Sequence, residues 1–252
     1  MAVVDPTRGD ASLNLVMSLE NLGKWLMAGA VFFALTGACI VLAKLMYRFD
    51  QVYGFYALFD LGSDSSIPTW FSSLGLLACS LLLWTHSLVE DPAQRVMCWQ
   101  WRFLALIFLL LSVDEVARIH EVLGTFVGHE LVPDVSDRSG GLLSYQWLVC
   151  GVIFTGTMAL AYIPFLYRLP RRVALAFILS GAVYVCGAAV IESFNGHTEY
   201  TVGPRSALYL WGTALEEFLE MVGVALFAGA LVRYLSQRLD VLSVSTNFDS
   251  HQ

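Results

Sequence analysis

The sequence predicts an all-α fold, a polytopic membrane bundle of about six transmembrane helices. Hydrophobic residues make up 57% of the 252 residues and charged residues only 14%, and the mean hydropathy is +0.66. These values are too apolar for a soluble domain of this length. The apolar residues are also concentrated in runs of roughly 20, the length that a helix needs to cross a hydrocarbon core about 30 Å thick.

The apolar runs define the expected spans of one membrane domain that comprises residues 1–252. They are residues 25–46, 69–89, 101–122, 147–167, 173–193 and 208–232. Pro68 lies just before the second run, where it suits the first turn of a helix. The remaining loops are too short for a soluble domain, so a single helical bundle is the simplest architecture.

Several residue types support the limits and class of these spans. Tryptophans near the span ends are expected to form interfacial belts, and they are Trp25, Trp70, Trp99, Trp101, Trp147 and Trp211. The five cysteines are isolated and show no C-x-x-C spacing, so they are expected to fill space in the bundle. The net charge of -7 argues against nucleic acid as a partner. The N-terminal segment lacks the basic start of a cleavable signal, so we expect it to be retained.

The distribution of basic residues predicts the orientation. With an even number of spans, one side of the membrane holds Arg8, Lys24, Arg95, Arg102, Arg168, Arg171, Arg172, Arg233 and Arg238, and the other holds Lys44, Arg48, Arg118, Arg138 and Arg205. Positive residues are retained in the cytoplasm, so this distribution predicts a bacterial inner-membrane protein with both termini inside.

Acidic residues and histidines interrupt the apolar runs at three places. The third span ends in LLLSVDEVARIHE (residues 109–121), the fifth in IESFNGHTEY (191–200), and the sixth begins with ALEEFLEMVGVALF (214–227). Alternating topology puts all three segments on the same, outer side. Carboxylates and imidazoles from distant segments are therefore expected to share one region of the outer leaflet.

Charge inside a membrane is costly, which gives this convergence a physical consequence. Five ionised carboxylates, namely Asp114, Glu115, Glu216, Glu217 and Glu220, would cost on the order of 10 kcal/mol if unpaired. Arg118 can reach Asp114 or Glu121 along a helix, and an Asp114–Arg118 ion pair is expected. The other carboxylates need water, protons or a bound cation.

The sharpest hypothesis is a metal site. Carboxylate oxygen and imidazole nitrogen are ligands of Zn, Fe and Mn, and some helical bundles present Glu and His from facing helices. The expected ligands are His120, Glu121, Glu216, Glu220, Glu192 and His197. Asp114, Glu115 and Glu217 are the expected catalytic groups, which would transfer protons or orient the ligands.

Each of these residues also has a simpler interpretation, because no known metal motif is present. The E-x-x-H spacing of di-iron helices is missing, and E-x4-H occurs instead. His120 and Glu121 could form interfacial hydrogen bonds between helices, and His197 and Glu199 could be loop residues. His86 is expected to be interfacial or solvated. The acidic loop at residues 48–66 could cover the site, or its serines could simply cap the next helix.

Three classes of function follow from the sequence. The first is a metal-dependent enzyme that acts on a lipid or another hydrophobic substrate. The second is an accessory or assembly subunit that docks to a membrane-protein partner. The third, a proton or cation carrier, is disfavoured because the inner halves of the third and sixth spans carry no matching row of polar residues.

Overall fold

The computed structural model describes residues 21–47, 55–130 and 146–249, and every regular element in these ranges is a helix. Six helices are long and apolar enough to cross a membrane. They are Leu22–Met46, Ile67–Val89, Arg95–Ala117, Trp147–Arg168, Arg171–Thr201 and Ala207–Leu239. The predicted all-α bundle with six spans is thus confirmed.

The helices are numbered in chain order. They are α1 (Leu22–Tyr47), α2 (Phe55–Phe59), α3 (Ile67–Val89), α4 (Arg95–Ala117), α5 (Ile119–Glu130), α6 (Gln146–Ala161), α7 (Ile163–Arg168), α8 (Arg171–Val185), α9 (Glu192–Thr201) and α10 (Ala207–Asp249). A π-helical turn, Cys186–Ile191, joins α8 to α9 without a break, so that the fifth span is one continuous helical rod.

Helix α10 lies at the centre of the bundle. It packs against α1, α3, α8, the π-helical turn and α9. The main core lies between α3, α4, α7, α8 and α10, and its large buried side chains include Leu83, Trp101, Phe165 and Phe227. Apolar side chains on the outer surfaces of the helices are exposed, as expected for surfaces that face lipid.

The segment between α2 and α3 lies across α1 and α10. Leu61 is buried in a small cluster with Ala30, Phe33 and Met221. Asp60 forms an ion pair of 2.6 Å with Lys44 near the end of α1. Ser66 caps α3, since its side-chain oxygen accepts a hydrogen bond from the backbone N–H of Thr69. The predicted serine cap is therefore present, and residues 60–66 also lie beside the start of the sixth span.

The third span ends earlier than the sequence predicts. We expected a helix through residues 101–122, but α4 ends at Ala117 and α5 begins at Ile119. Arg118, between them, has a left-handed backbone conformation with φ 53° and ψ 41°. Such a residue ends a helix, and this role usually falls to glycine. No glycine or proline between residues 109 and 121 indicated the break.

Two aromatic expectations also need correction. Trp101 is not interfacial but completely buried in the core, whereas Trp25, Trp70, Trp99 and Trp211 are exposed. His86 is also completely buried, and its ring stacks on Trp101 and Tyr234. Its Nε2 donates a hydrogen bond to the Leu231 carbonyl at 3.0 Å. Hydropathy alone could not indicate this burial of an imidazole between aromatic rings.

Candidate intramembrane acid–base site

Three glycines bring the fifth and sixth spans unusually close together. A Cβ atom at Gly223 would lie 2.7–2.9 Å from backbone and Cβ atoms of Tyr184, and one at Gly187 would lie 2.8 Å from the carbonyl oxygen of Glu216. A Cβ at Gly212 would overlap the side chain of Asn195. All three contacts lie along one line between antiparallel helices. This close packing fixes the glutamates of α10 against the fifth span.

The fifth span changes its helical geometry where it meets these glutamates. The π-helical turn at Cys186–Ile191 comes directly before Glu192, the first residue of α9. A π-helical turn contains an extra residue, so it rotates the following side chains relative to a regular α-helix, and such turns are frequent at functional sites. Glu192 is partly buried, and its charge interacts with that of Glu216 on α10.

Glutamates on α10 form the centre of the acidic cluster. Asn195, which is buried, donates a hydrogen bond of 2.5 Å from Nδ2 to Oε2 of Glu216. The charges of Glu216 and Glu217 act on Glu220, and so does that of Glu115 from α4. Tyr184 lies in the same electrostatic environment. The predicted convergence of acids from separate spans is therefore present in the structure.

Asp114 connects the break after α4 to His120. Its Oδ1 accepts the backbone N–H of His120 at 2.7 Å, and its Oδ2 lies 2.8 Å from His120 Nδ1. Asp114 thus caps the first turn of α5 although it belongs to the preceding helix. The same carboxylate fixes the orientation of the imidazole ring, whose Nε2 is not used by this interaction.

His120 lies just outside the third span, between Asp114 and Trp147. Burial lowers the pKa of His120, but the hydrogen bond and charge of Asp114 and the charges of Glu121 and Glu115 together raise it more, so that the net pKa lies above its usual value. The ring centroids of His120 and Trp147 are 4.7 Å apart. Trp147 also donates a side-chain hydrogen bond to Glu192. One tryptophan therefore connects the Asp114–His120 pair to the fifth span.

Arg118 lies at the edge of the cluster. It pairs with Asp64 at 3.0 Å and with Glu121, and both partners are about half exposed. The hydrogen bond that Arg118 donates to Glu121 raises the pKa of Arg118 above its usual value. The expected Asp114–Arg118 ion pair is replaced by Asp114–His120, because the helix break turns Arg118 away. Asp64 also interacts electrostatically with Glu115 and Glu217, so the loop does reach the site.

The structure brings most of the predicted site residues together. Electrostatic interactions or hydrogen bonds connect Asp114, Glu115, His120, Glu192, Glu216, Glu217 and Glu220. Glu121 lies at the edge, bound to Arg118. His197 and Glu199, which could have been loop residues, lie within α9 and are partly buried. Within the described parts of the chain, no three His, Cys, Asp or Glu side chains are arranged to hold a metal ion. Metal binding thus stays a prediction.

Four residues of the site were absent from the predicted set. Trp147 was assigned to an interfacial belt, and Asp64 only to the acidic loop that could cover the site. Asn195 lies between Glu192 and His197 in the polar segment, so its position was the one available signal. Tyr184 lies in an apolar run and gave no signal at all.

The arrangement is chemically suited to proton transfer. An imidazole oriented by a carboxylate can accept a proton at its other nitrogen, as a general base does. The neighbouring carboxylates are close enough to influence one another, and like charges in a low-dielectric site favour sharing of protons. Together these groups offer both proton acceptors and proton donors within one region of the membrane.

The comparisons with known proteins identify a family but no relative with a known activity. Neither the curated proteins nor the solved structures include a match to this chain. One family model, described as a domain of unknown function, matches residues 26–234, a range that includes all the site residues named above. The chain therefore belongs to the DUF8692 family.

Proposed function

We propose that this protein is a membrane enzyme whose Asp114–His120 pair acts, together with the glutamate cluster, on a lipid or another hydrophobic substrate. The observation that carries the proposal is the pair of hydrogen bonds between Asp114 and His120. A purely structural cap would need only the backbone hydrogen bond. The second bond, to Nδ1, leaves Nε2 as the reactive nitrogen of an oriented imidazole.

The glutamate cluster supplies the acidic part of the site. Glu216, Glu217 and Glu220 lie near Glu115 and Glu192, and this density of acids in a membrane requires neutralisation. Protons satisfy part of that requirement and give general acids. A divalent cation, Zn, Fe or Mn, would satisfy the rest, with Glu216, Glu220 and Glu192 as its principal ligands. His120 would be a further ligand through Nε2, and with the cation bound there it would orient the cation instead of accepting a proton. Glu121 and His197 are the remaining candidate ligands.

The position of the site supports a hydrophobic substrate. Val113, Val116 and Ile119, which surround the break between α4 and α5, are exposed on the surface of the bundle. Leu215, next to Glu216, is exposed as well. A molecule dissolved in the bilayer could therefore approach the polar groups from the side, without crossing the aqueous phase.

The proposal is tested with purified full-length protein incubated with a bacterial total lipid extract, in the presence and absence of added Mn or Zn. Mass spectrometry of the extract should show a lipid species that is consumed by the wild type. Conversion should fall by about 100-fold or more in His120→Ala and Asp114→Asn, as expected for loss of an oriented general base.

Asp91→Asn is the matched control, because Asp91 is an exposed acid beyond the other end of α3. It should convert lipid as the wild type does. Equal conversion by wild type and His120→Ala would contradict the proposed role of the pair. Elemental analysis of the same preparations tests the cation separately: metal should accompany the wild type and be lost from His120→Ala.

A docking function is the second candidate, and it is favoured by the exposure of the fourth span. Only 11% of the residues in the most apolar stretch of Trp147–Arg168 are buried inside the bundle. Val152, Ile153, Phe154 and Leu160 are exposed on this helix. In this alternative an accessory subunit would present α6 to another membrane protein. Co-purification of a stoichiometric partner, lost on Ile153→Asn, would favour docking over catalysis.

The distribution of basic residues supports an inner-membrane location with both termini in the cytoplasm. In this orientation the acidic site faces the periplasmic leaflet. Thiol labelling of single cysteines placed after Glu90 and after Gly203 tests it in intact cells. The first position should be protected from a membrane-impermeant reagent, and the second should react.

A further inference from the structure

A groove runs between α1 and α10 on the surface of the bundle, away from the acidic site. Gly23 and Gly229 touch along its floor, where a Cβ at position 23 would lie 2.7 Å from the Cα of Gly229. Small and apolar residues form its walls, and its volume is about 960 Å³. The lining residues on which the argument rests are Met27, Ala28, Val31, Ala225 and Leu226.

Polar and basic side chains line one end of this groove. Lys24 comes from the first turn of α1, and Arg233, Ser236 and Gln237 come from α10. Lys24 and Arg233 are both exposed, and no ion pair between described residues includes either of them. Lys24 instead donates a hydrogen bond of 3.1 Å to the side chain of Asn21. Two positive charges thus remain available at the mouth of an apolar groove.

Charge and shape together define the occupant. A small anion would bind only the basic end of the groove and would leave its apolar walls without a ligand. A neutral hydrocarbon would contact the apolar walls and would leave the two positive charges without a partner. An anionic phospholipid satisfies both. We infer that the groove binds one anionic phospholipid, with its phosphate between Lys24 and Arg233 and one acyl chain along Met27, Val31 and Leu226. This inference is independent of the function proposed for the acidic site.

The inference is tested by native mass spectrometry of the full-length protein in detergent, with phosphatidylglycerol or phosphatidylcholine added. Wild type should retain one phosphatidylglycerol in preference to phosphatidylcholine. Lys24→Gln/Arg233→Gln should bind phosphatidylglycerol about thirtyfold more weakly, since each basic residue contributes about 1 kcal/mol toward an anionic lipid. Arg171→Gln/Arg172→Gln removes two charges from the start of α8 and should leave the preference unchanged.

A second variant tests the apolar part of the groove. Ala28→Leu adds bulk on its wall while both charges remain, so it should weaken phosphatidylglycerol retention as well. Three results would overturn the inference: equal retention of the two lipids by wild type, unchanged phosphatidylglycerol retention in Ala28→Leu, or displacement of the lipid by millimolar inorganic phosphate. The last result would identify a simple anion site instead.

Discussion

The carboxylate of Asp114 holds both the backbone and the imidazole of His120. Its two oxygens accept from the backbone N–H and lie beside Nδ1, at 2.7 and 2.8 Å. One acid therefore begins helix α5 and orients a candidate base. Since His120 follows Asp114 by six residues, this geometry requires the helix break between them.

The charge of Asp114 should be measurable as a change in the pKa of His120. Burial lowers that pKa, but Asp114, aided by the charges of Glu121 and Glu115, raises it more, and the wild-type pKa should lie above its usual value. Asp114→Asn should lower it. Protonated His120 stabilises the fold, so this contribution is complete below about pH 6.5 and is lost as the pH rises through the folded-state pKa. NMR titration of ¹⁵N-labelled histidine measures the shift; an identical pKa in both proteins would contradict it.

Two substitutions of Arg118 can distinguish the effect of its backbone conformation on stability from the effect of its charge. Glycine adopts a left-handed conformation without strain, so Arg118→Gly should keep the break and lose only two half-exposed ion pairs. Its free energy of unfolding should stay within about 1 kcal/mol of wild type. Arg118→Val should cost about 1–3 kcal/mol, because a β-branched residue is strained there. Thermal unfolding followed by circular dichroism compares the two, and equal losses would show that charge alone matters.

Helix α10 joins the two polar ends of the bundle. One end carries the glutamate cluster, and the other carries Arg238, which makes two hydrogen bonds with Glu90 at 2.8 and 2.9 Å. Trp101 donates a third hydrogen bond to Glu90 at 3.0 Å. The end of α3 is thereby fixed to α10 and α4. This pair is a structural element, since each charge is already satisfied by its partner.

Loss of the Glu90 charge should lower the free energy of unfolding, and the size of this loss should depend on pH. Burial raises the pKa of Glu90, but hydrogen bonds from Arg238, Trp101 and the Asp91 backbone, together with the charge of Arg238, outweigh it, and the net pKa is lowered. Stability from the pair is therefore present above about pH 4.5 and lost as the pH falls through the folded-state pKa. Glu90→Gln should cost about 3 kcal/mol at neutral pH, because Arg238 loses its countercharge.

The control for that pair is the apolar double variant Glu90→Leu/Arg238→Met. Replacement of both charges by hydrophobic residues should recover most of the lost stability, since neither charge is then left unpaired. Chemical denaturation at several pH values measures all three proteins. A double variant no more stable than Glu90→Gln would mean that the pair acts through its hydrogen bonds to Trp101 and not through charge.

The glycine contacts between the fifth and sixth spans should contribute to the stability of the bundle about as much as its polar contacts do. Gly223→Ala would place a Cβ 2.8 Å from the backbone nitrogen of Tyr184, so the helices must separate, at a cost of about 1–3 kcal/mol. Gly181→Ala is the matched control on α8, where a Cβ meets no atom within 4 Å. It should stabilise slightly, because alanine favours a helix. Thermal unfolding of both variants checks the difference; similar behaviour would contradict this packing.

The elements differ in how far the sequence could predict them. Long apolar runs gave the six spans, because a membrane imposes a fixed length on a helix. Helical periodicity placed Glu216 and Glu220 on one face of α10. The break at Arg118 was not predictable, because it depends on an arginine in a conformation that glycine normally takes. Trp147 and Tyr184 depend on which helices become neighbours, and no single span contains that information.

The two ends of the bundle differ in whether their buried charges have partners of opposite charge. At one end, Glu90 and Arg238 form a closed pair. At the other, acids from α4, α9 and α10 interact with one another, and the nearby Arg118 is engaged by Asp64 and Glu121 at the edge. A fold selected only for stability would disperse such acids or pair them. Their accumulation is therefore the feature of the whole molecule that most favours a function.

Neutralisation of this cluster should stabilise the entire bundle. In metal-free protein, Glu217→Gln should raise the melting temperature, because it removes the cost of burying an ionisable carboxyl group and the repulsion from Glu115 and Glu216. Added Mn or Zn at about 100 times its dissociation constant should stabilise wild type by about 2.7 kcal/mol, or about 5–10 °C for a chain of this size. Glu216→Gln/Glu220→Gln should lose that shift and Asp91→Asn should keep it. A shift of equal size in all the proteins would place the cation outside the cluster, and protons alone would then have to neutralise these acids.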